Sequence, residues 1–329
     1  MTYPRAYHTA AVLTGGKVLV MGGSDTNSTL NTVELYDPSS GSWTVSGNMI
    51  GNRYYHVSSL LNNGKVLVTG GQINSSSYLA SAELYDPLTG MWTATGNMNN
   101  ARVYHASSLL NNGKVLVAGG QDGTGYSVSV ELYDPSTGAW TVTGNMNTAR
   151  IFHTASLLTN GKVLVTGGFG GSGFLSSAEL YDPSTGMWTA TGSMNNARER
   201  HKASLLPNGN LLVTGGQNSV PLAYLNSAEL YDPSTGMWTA TGNMNNARAH
   251  HTSSILSNGK VLVTGGYDSS GSLTSAELYN PSTGVWNVTT NMNNARQWHT
   301  ASLLPNGTML VIGGYGNGNY LTSAELYQP

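Results

Sequence analysis

The chain has 329 residues, no cysteine, a formal net charge of −2 and only 9% charged residues, against about 25% in an average soluble domain. The absence of thiols removes disulfides, thiolate metal sites and thiol nucleophiles. The near-neutral balance gives no electrostatic reason to expect nucleic acid or an anionic membrane as partner. No apolar run approaches the roughly 18 residues of a membrane span. The opening Met1-Thr-Tyr-Pro-Arg5 has no apolar signal core, so a secretion signal, where one exists, is expected to have been removed. Glycine (42 residues), with much Ser, Thr and Asn, is common in secreted and surface proteins. The expected location is extracellular or cell-surface, with the cytoplasm as the alternative.

The chain is one unit copied seven times. Arg-x-x-His recurs at Arg5, Arg53, Arg102, Arg150, Arg198, Arg248 and Arg296, at spacings of 48 to 50 residues. Glu-Leu-Tyr recurs from Glu34 to Glu325, and six copies carry a Trp nine residues on, from Trp43 to Trp286. A period of this length marks a repeat architecture.

The second unit shows the elements in order. Arg53-Tyr-Tyr-His56 leads into a short first strand, Val57–Leu61. Asn63-Gly64 is a hairpin turn, because both residues accept positive φ. Lys65–Thr69 is a second strand, apolar enough to be buried on both faces. Gly70-Gly71 ends it, and Gln72–Ser81 reads as a loop. Ala82–Tyr85 is a third strand, Asp86–Gly90 a turn, and Met91–Thr95 a fourth strand. Four short strands with no helical period predict one antiparallel sheet per unit, and seven such sheets make a β-propeller. The fold class is therefore all-β: a single domain over 1–329 with seven four-stranded blades.

Gly-Gly, Tyr-Asp-Pro and Trp at these offsets resemble the kelch repeat, a propeller blade of about 50 residues. The resemblance covers essentially the whole chain and implies that first strands line a central channel. It also implies two faces. The loops between strands two and three share one with the inter-blade Arg-x-x-His segments. The Asn-Gly hairpins and Asp-Pro turns share the other.

Residues present in every unit are expected to be structural. Each buried Glu needs partners, supplied by the repeat Arg or by amides near Gly-Gly. The seven histidines (His8, His56, His105, His153, His201, His251, His299) are held apart by the symmetry, so they are expected to bond to backbone rather than to converge on a metal. Each Trp and its Tyr should pack between blades. No cofactor or metal site and no catalytic residue is assigned.

Function is expected where the repeats differ. Between Gly-Gly and Glu the units hold 10, 11, 10, 10, 12, 10 and 10 residues. The second variable place is the x-x pair, from Ala6-Tyr7 to Gln297-Trp298. Units five to seven depart most, giving candidate ligand-binding residues Glu199, Arg200, Tyr224, His250, Tyr267, Trp298 and Tyr315, with Pro221 in the longest loop. Such residues on variable loops suit recognition. The leading reading is a non-catalytic module for a protein or peptide, and the alternative is a carbohydrate-binding propeller. A third reading, a sugar epimerase or lyase, would use Glu199, Arg200, His201 and His250. The galactose-oxidase-like copper oxidases among kelch-like proteins use a Tyr crosslinked to Cys, which this chain lacks. Four Asn-x-Ser/Thr sequons (Asn27, Asn74, Asn287, Asn306) are glycosylation candidates in a eukaryotic secretory pathway.

Two further expectations concern architecture. Met1–Arg5 aligns with Met49–Arg53, and the seventh unit stops at Pro329 before any Trp strand. The seventh blade should therefore lack its outermost strand within this chain and leave Ser323–Tyr327 as an edge open to pairing. On the hairpin face, five Lys (Lys17, Lys65, Lys114, Lys162, Lys260) should alternate with five Asp (Asp37, Asp86, Asp134, Asp182, Asp232), favouring solubility over ligand steering.

Overall fold

The computed structural model describes residues 1–219 and 223–328, which form strands and no helix. The second unit folds as Val57–Leu60, Val66–Thr69, Ala82–Asp86 and Met91–Ala94, paired antiparallel in that order. Six blades have four strands. The seventh has three: Thr300–Leu303, Met309–Ile312 and Ala324–Tyr327. First strands of successive blades touch around a circle, and blade one meets blade seven, closing a seven-bladed propeller.

The core lies between blades. The second strand of every blade is buried along its whole length. Leu110, Leu116, Ala118 and Met146 of the third repeat pack on Val163, Val165, Tyr181 and Trp188 of the fourth. Such a layer recurs around the ring, so stability is shared among neighbouring blades rather than held in one centre.

The Gly-Gly pair has a steric reason. Gly70 and Gly71 have φ of 60° and 91°, and a Cβ there would stand 2.5 Å from the Arg102 carbonyl oxygen and 2.7 Å from that of Tyr54. Only glycine satisfies both the left-handed backbone and the close approach. The stretch that follows is not wholly a loop, as the sequence suggested. In six blades it holds a two-stranded hairpin, such as Gln121–Asp122 with Gly125–Tyr126.

All seven Arg–Glu pairs form. Arg102 Nη2 lies 2.7 Å from Glu131 Oε1, and its Nη1 donates to the carbonyls of Gly119 and Ser129. Glu131 also accepts the backbone amides of Asn99 and Asn100. The expected roles are thus revised: the amides come from the segment before the arginine, and Gly-Gly supplies a carbonyl to the guanidinium. His56 Nε2 lies 2.9 Å from the Thr9 hydroxyl of the preceding blade, and five others meet threonine hydroxyls in the same way. A hydroxyl thus meets one ring nitrogen in addition to the backbone groups expected, such as those of Arg53 and Met21 at His56.

Each blade is latched to the one before it. Trp140 Nε1 donates to the Gly96 carbonyl at 2.7 Å, and Tyr133 Oη lies 2.8 Å from Thr95 Oγ1. Among the described residues Tyr36 and Trp43 of blade one have no such partner, because the strand that supplies it in the other blades is missing from blade seven. Closure uses the amino terminus instead. The Met1 ammonium donates to the Thr322 carbonyl, and the amides of Thr2 and Tyr3 donate to Glu34. On the hairpin face Lys17–Asp37, Lys65–Asp86, Lys114–Asp134 and Lys162–Asp182 pair at 3.1–3.2 Å, as the alternation implied.

Candidate functional site

Both variable places lie on one face. The first residue of each x-x pair forms an antiparallel bridge with the residue after Gly-Gly: Glu199 with Gln217, Ala249 with Tyr267, Gln297 with Tyr315. The second residue of every pair has a left-handed backbone: Tyr7, Tyr55, Tyr104, Phe152, Arg200, His250 and Trp298, with φ between 54° and 58°. A positive φ is a genuine outlier for bulky residues and costs on the order of 1–3 kcal/mol at each. Interblade bonds hold it there. The amide of Arg200 donates to the Phe152 carbonyl, that of His250 to Arg200, that of Trp298 to His250 and that of Tyr7 to Trp298.

This backbone sends the seven side chains inward, where they form a closed belt across the channel mouth. Ring centroids are 4.4 Å apart for Tyr7–Tyr55, 4.6 Å for Tyr55–Tyr104 and 4.2 Å for Tyr104–Phe152. The Arg200 guanidinium carbon lies 4.1 Å from the Phe152 ring centre, a cation–π contact. Arg200 Nη1 lies 2.9 Å from His250 Nε2, and Trp298 Nε1 donates to His250 Nδ1 at 2.7 Å. Trp298 and Tyr7, 4.5 Å apart, complete the circuit.

Five of the seven candidate residues therefore form one arc. Glu199 is buried, accepts a 2.7 Å bond from Gln217 Nε2 and lies 3.5 Å from Arg200 Nε. Burial pushes its carboxyl upward in pKa, opposed by Arg200 and Gln217. Arg200, His250 and Trp298 follow, and Tyr315 lies 5.8 Å from Trp298. Tyr224 and Tyr267 form a separate edge-on pair, 5.7 Å apart. Pro221 lies outside the described residues. Tyr7 touches Trp298 of the seventh unit, because ring closure joins the first blade to the seventh.

His250 sits between two groups that only donate. A neutral imidazole has one acceptor nitrogen, and burial drives the His250 pKa well below its ordinary value, which keeps the ring neutral. The two donors thus compete for one lone pair, and either Arg200 or Trp298 has a surplus N–H.

The sequence reading missed Lys202. It begins the first strand of blade five, where the other blades carry Thr9, Val57, Ala106, Thr154, Thr252 and Thr300. Its side chain is exposed within the channel, and the surrounding propeller lowers its pKa. The signal was available as a charge at a position otherwise Thr, Val or Ala.

Residues 7–191 and 93–244 match the family described as the KLHDC2/KLHL20/DRC7 Kelch-repeats domain, and residues 248–293 match the Kelch motif. The chain belongs to the kelch-repeat family. No curated protein matches this kelch chain in sequence. Among solved structures it is similar to a fungal alcohol oxidase of the AA5 family in complex with copper, with a TM-score of 0.76 and 21% identity over 96% of this chain and 71% of that one. That likeness shows the shared propeller. The mouth of this kelch ring does not fit a copper ion: both His250 nitrogens are engaged, and among the described residues no three His, Asp or Glu side chains converge.

Proposed function

We propose that this kelch propeller is a non-catalytic recognition module that binds a protein or peptide partner through the face carrying the strand two–three hairpins and the Arg-x-x-His segments. The observation that carries this reading is the division of the two faces. The hairpin face repeats the same exposed Lys–Asp pairs from blade to blade. The opposite face holds all the length variation and a belt of strained, mostly aromatic side chains. Backbone strain kept at seven equivalent positions, with differing side chains, is what a site under functional demand looks like. Aromatic and arginine anchors on a rigid scaffold supply binding hot spots. Tyr224, Tyr267, Tyr315 and Tyr320 flank the belt as partly exposed rings that a flat ligand surface can meet.

The test is affinity capture and crosslinking from the source cell with the parent chain, Trp298→Ala, Tyr267→Ala and a hairpin-face control, Lys65→Gln/Lys114→Gln. A partner retained by the parent and the control but lost by the first two variants supports the reading. A partner lost only by the control places binding on the other face. A glycan array run in parallel that yields specific binding, with no captured protein, would replace the partner by a carbohydrate.

A further inference from the structure

Lys202 carries the only charge on the seven strands that line the channel. It has neither an ion pair nor a hydrogen bond among the described residues. The ionisable groups that feel its charge are bases: His201, His250, His251 and His299. The nearest acid in sequence, Glu199, is occupied by Gln217 and Arg200. An ammonium exposed in the channel without a protein partner is free to meet an anion, and a threonine at the same place serves four other blades.

Lys202 borders two connected parts of the channel. One, about 450 Å³, is lined by Trp298, Thr9, Thr252, Ser253 and Thr300. The other, about 250 Å³, adds Arg200, His250 and Phe152. The space is that of a small-molecule site. Directly over it stands the Arg200–His250–Trp298 arc, in which two donors share one acceptor. An added acceptor would take the surplus N–H and face the ammonium at once.

We infer that the channel beneath the belt binds a small organic acid, its carboxylate held between Lys202 Nζ and the Arg200 guanidinium, its remaining groups against the threonine and serine residues that line the channel. Size favours a free acid over a polypeptide. The belt narrows the mouth to a ring of contacting side chains, and the space beneath is that of a small molecule. This site shares Arg200 and Trp298 with the partner face above it, whereas Lys202 belongs to the channel alone, so Lys202→Thr tests the acid site without touching that face.

The experiment is isothermal titration of the whole chain with D-galacturonate and D-galactose, a pair differing at one carboxylate. Galacturonate should bind at least about tenfold more tightly than galactose, about 1.4 kcal/mol, and salt should weaken it. Lys202→Thr should abolish the preference while melting no lower than the parent. As a second readout, the NMR-monitored pKa of Lys202 should rise when galacturonate is added. Equal binding of the two sugars, no heat with galacturonate up to about 10 mM, or a preference that survives Lys202→Thr overturns the inference. An aspartate-ended peptide that binds better than galacturonate overturns the assignment to a small molecule.

Discussion

Glu131 Oε1 accepts from Arg102 Nη2 at 2.7 Å with both side chains buried, and the same carboxylate accepts the amides of Asn99 and Asn100. One acid thus fixes the third strand of its blade, the inter-blade segment and, through the arginine, the Gly-Gly carbonyl. Glu131→Gln should destabilise the chain by roughly 3–5 kcal/mol, the scale for removing one partner of a buried pair. Glu325, whose side chain is 13% exposed in the open seventh blade, should tolerate Gln with a smaller loss. Urea denaturation of the two variants checks the difference, and equal losses would refute the role given to burial.

Acid should unfold the chain before its carboxylates protonate. Burial lowers all seven repeat histidines, with His56 and His153 brought to about 3 from an ordinary 6.5. The unfolded chain therefore takes up protons first as pH falls below 6.5, so stability is full above that value and is lost as pH drops towards 3. Each such histidine removes about 1.4 kcal/mol per pH unit. Melting temperature should fall steeply between pH 6.5 and 5, and His56→Asn should make the fall shallower. A flat profile over that interval would contradict the linkage.

For the partner face, Arg200→Ala and Trp298→Ala should each weaken binding of the captured partner by about 2 kcal/mol, as hot-spot truncations do, with little change in melting temperature. Tyr7 is unsuitable as a remote control because it stacks on Trp298. The pairs Lys65–Asp86 and Lys114–Asp134 serve instead. Calorimetry showing parent-like affinity for both variants would move the site elsewhere on the face.

The open edge Ala324–Tyr327 should accept a strand in trans. The fourth strands of blades four and five define its sequence, Met-Trp-Thr-Ala-Thr-Gly. Its Trp would lie beside Tyr327, its second Thr would reach Tyr36, and its Gly carbonyl would take the Trp43 N–H. The free peptide should raise the melting temperature in a concentration-dependent way, as any ligand of the folded state does. Tyr36→Phe should reduce the gain. A scrambled peptide with equal effect would rule out specific pairing.

Seven copies allow the sequence to be checked against itself, which is why so much of the fold was legible. A residue that every unit repeats, such as Glu131 or Gly120, must meet a demand common to all blades. Strand period and turn chemistry are local, so the fourth-strand span at Met91 and the Asn63-Gly64 hairpin follow from neighbouring residues. The candidate arc was legible only as a set of departures: Glu199, Arg200, His250 and Trp298 stand out because the other units differ there. Their contacts were not, since these neighbours lie about 50 residues apart in the chain and meet only when the ring closes.

By itself, then, the sequence determined the blade count, the strands of each blade and the missing outer strand, because each depends on a pattern repeated within one unit; the two faces came from the kelch resemblance, and the Glu partner stayed open between the arginine and nearby amides. Tertiary structure alone decided what happens at the axis. The positive φ at Tyr7 and its six counterparts brings them into contact as one belt at the channel mouth. Ring closure sets Tyr7 beside Trp298 and leaves Lys202 in the channel without an ion pair among the described residues. These depend on backbone handedness and on through-space distance between blades, and neither is encoded in the order of residues within a repeat.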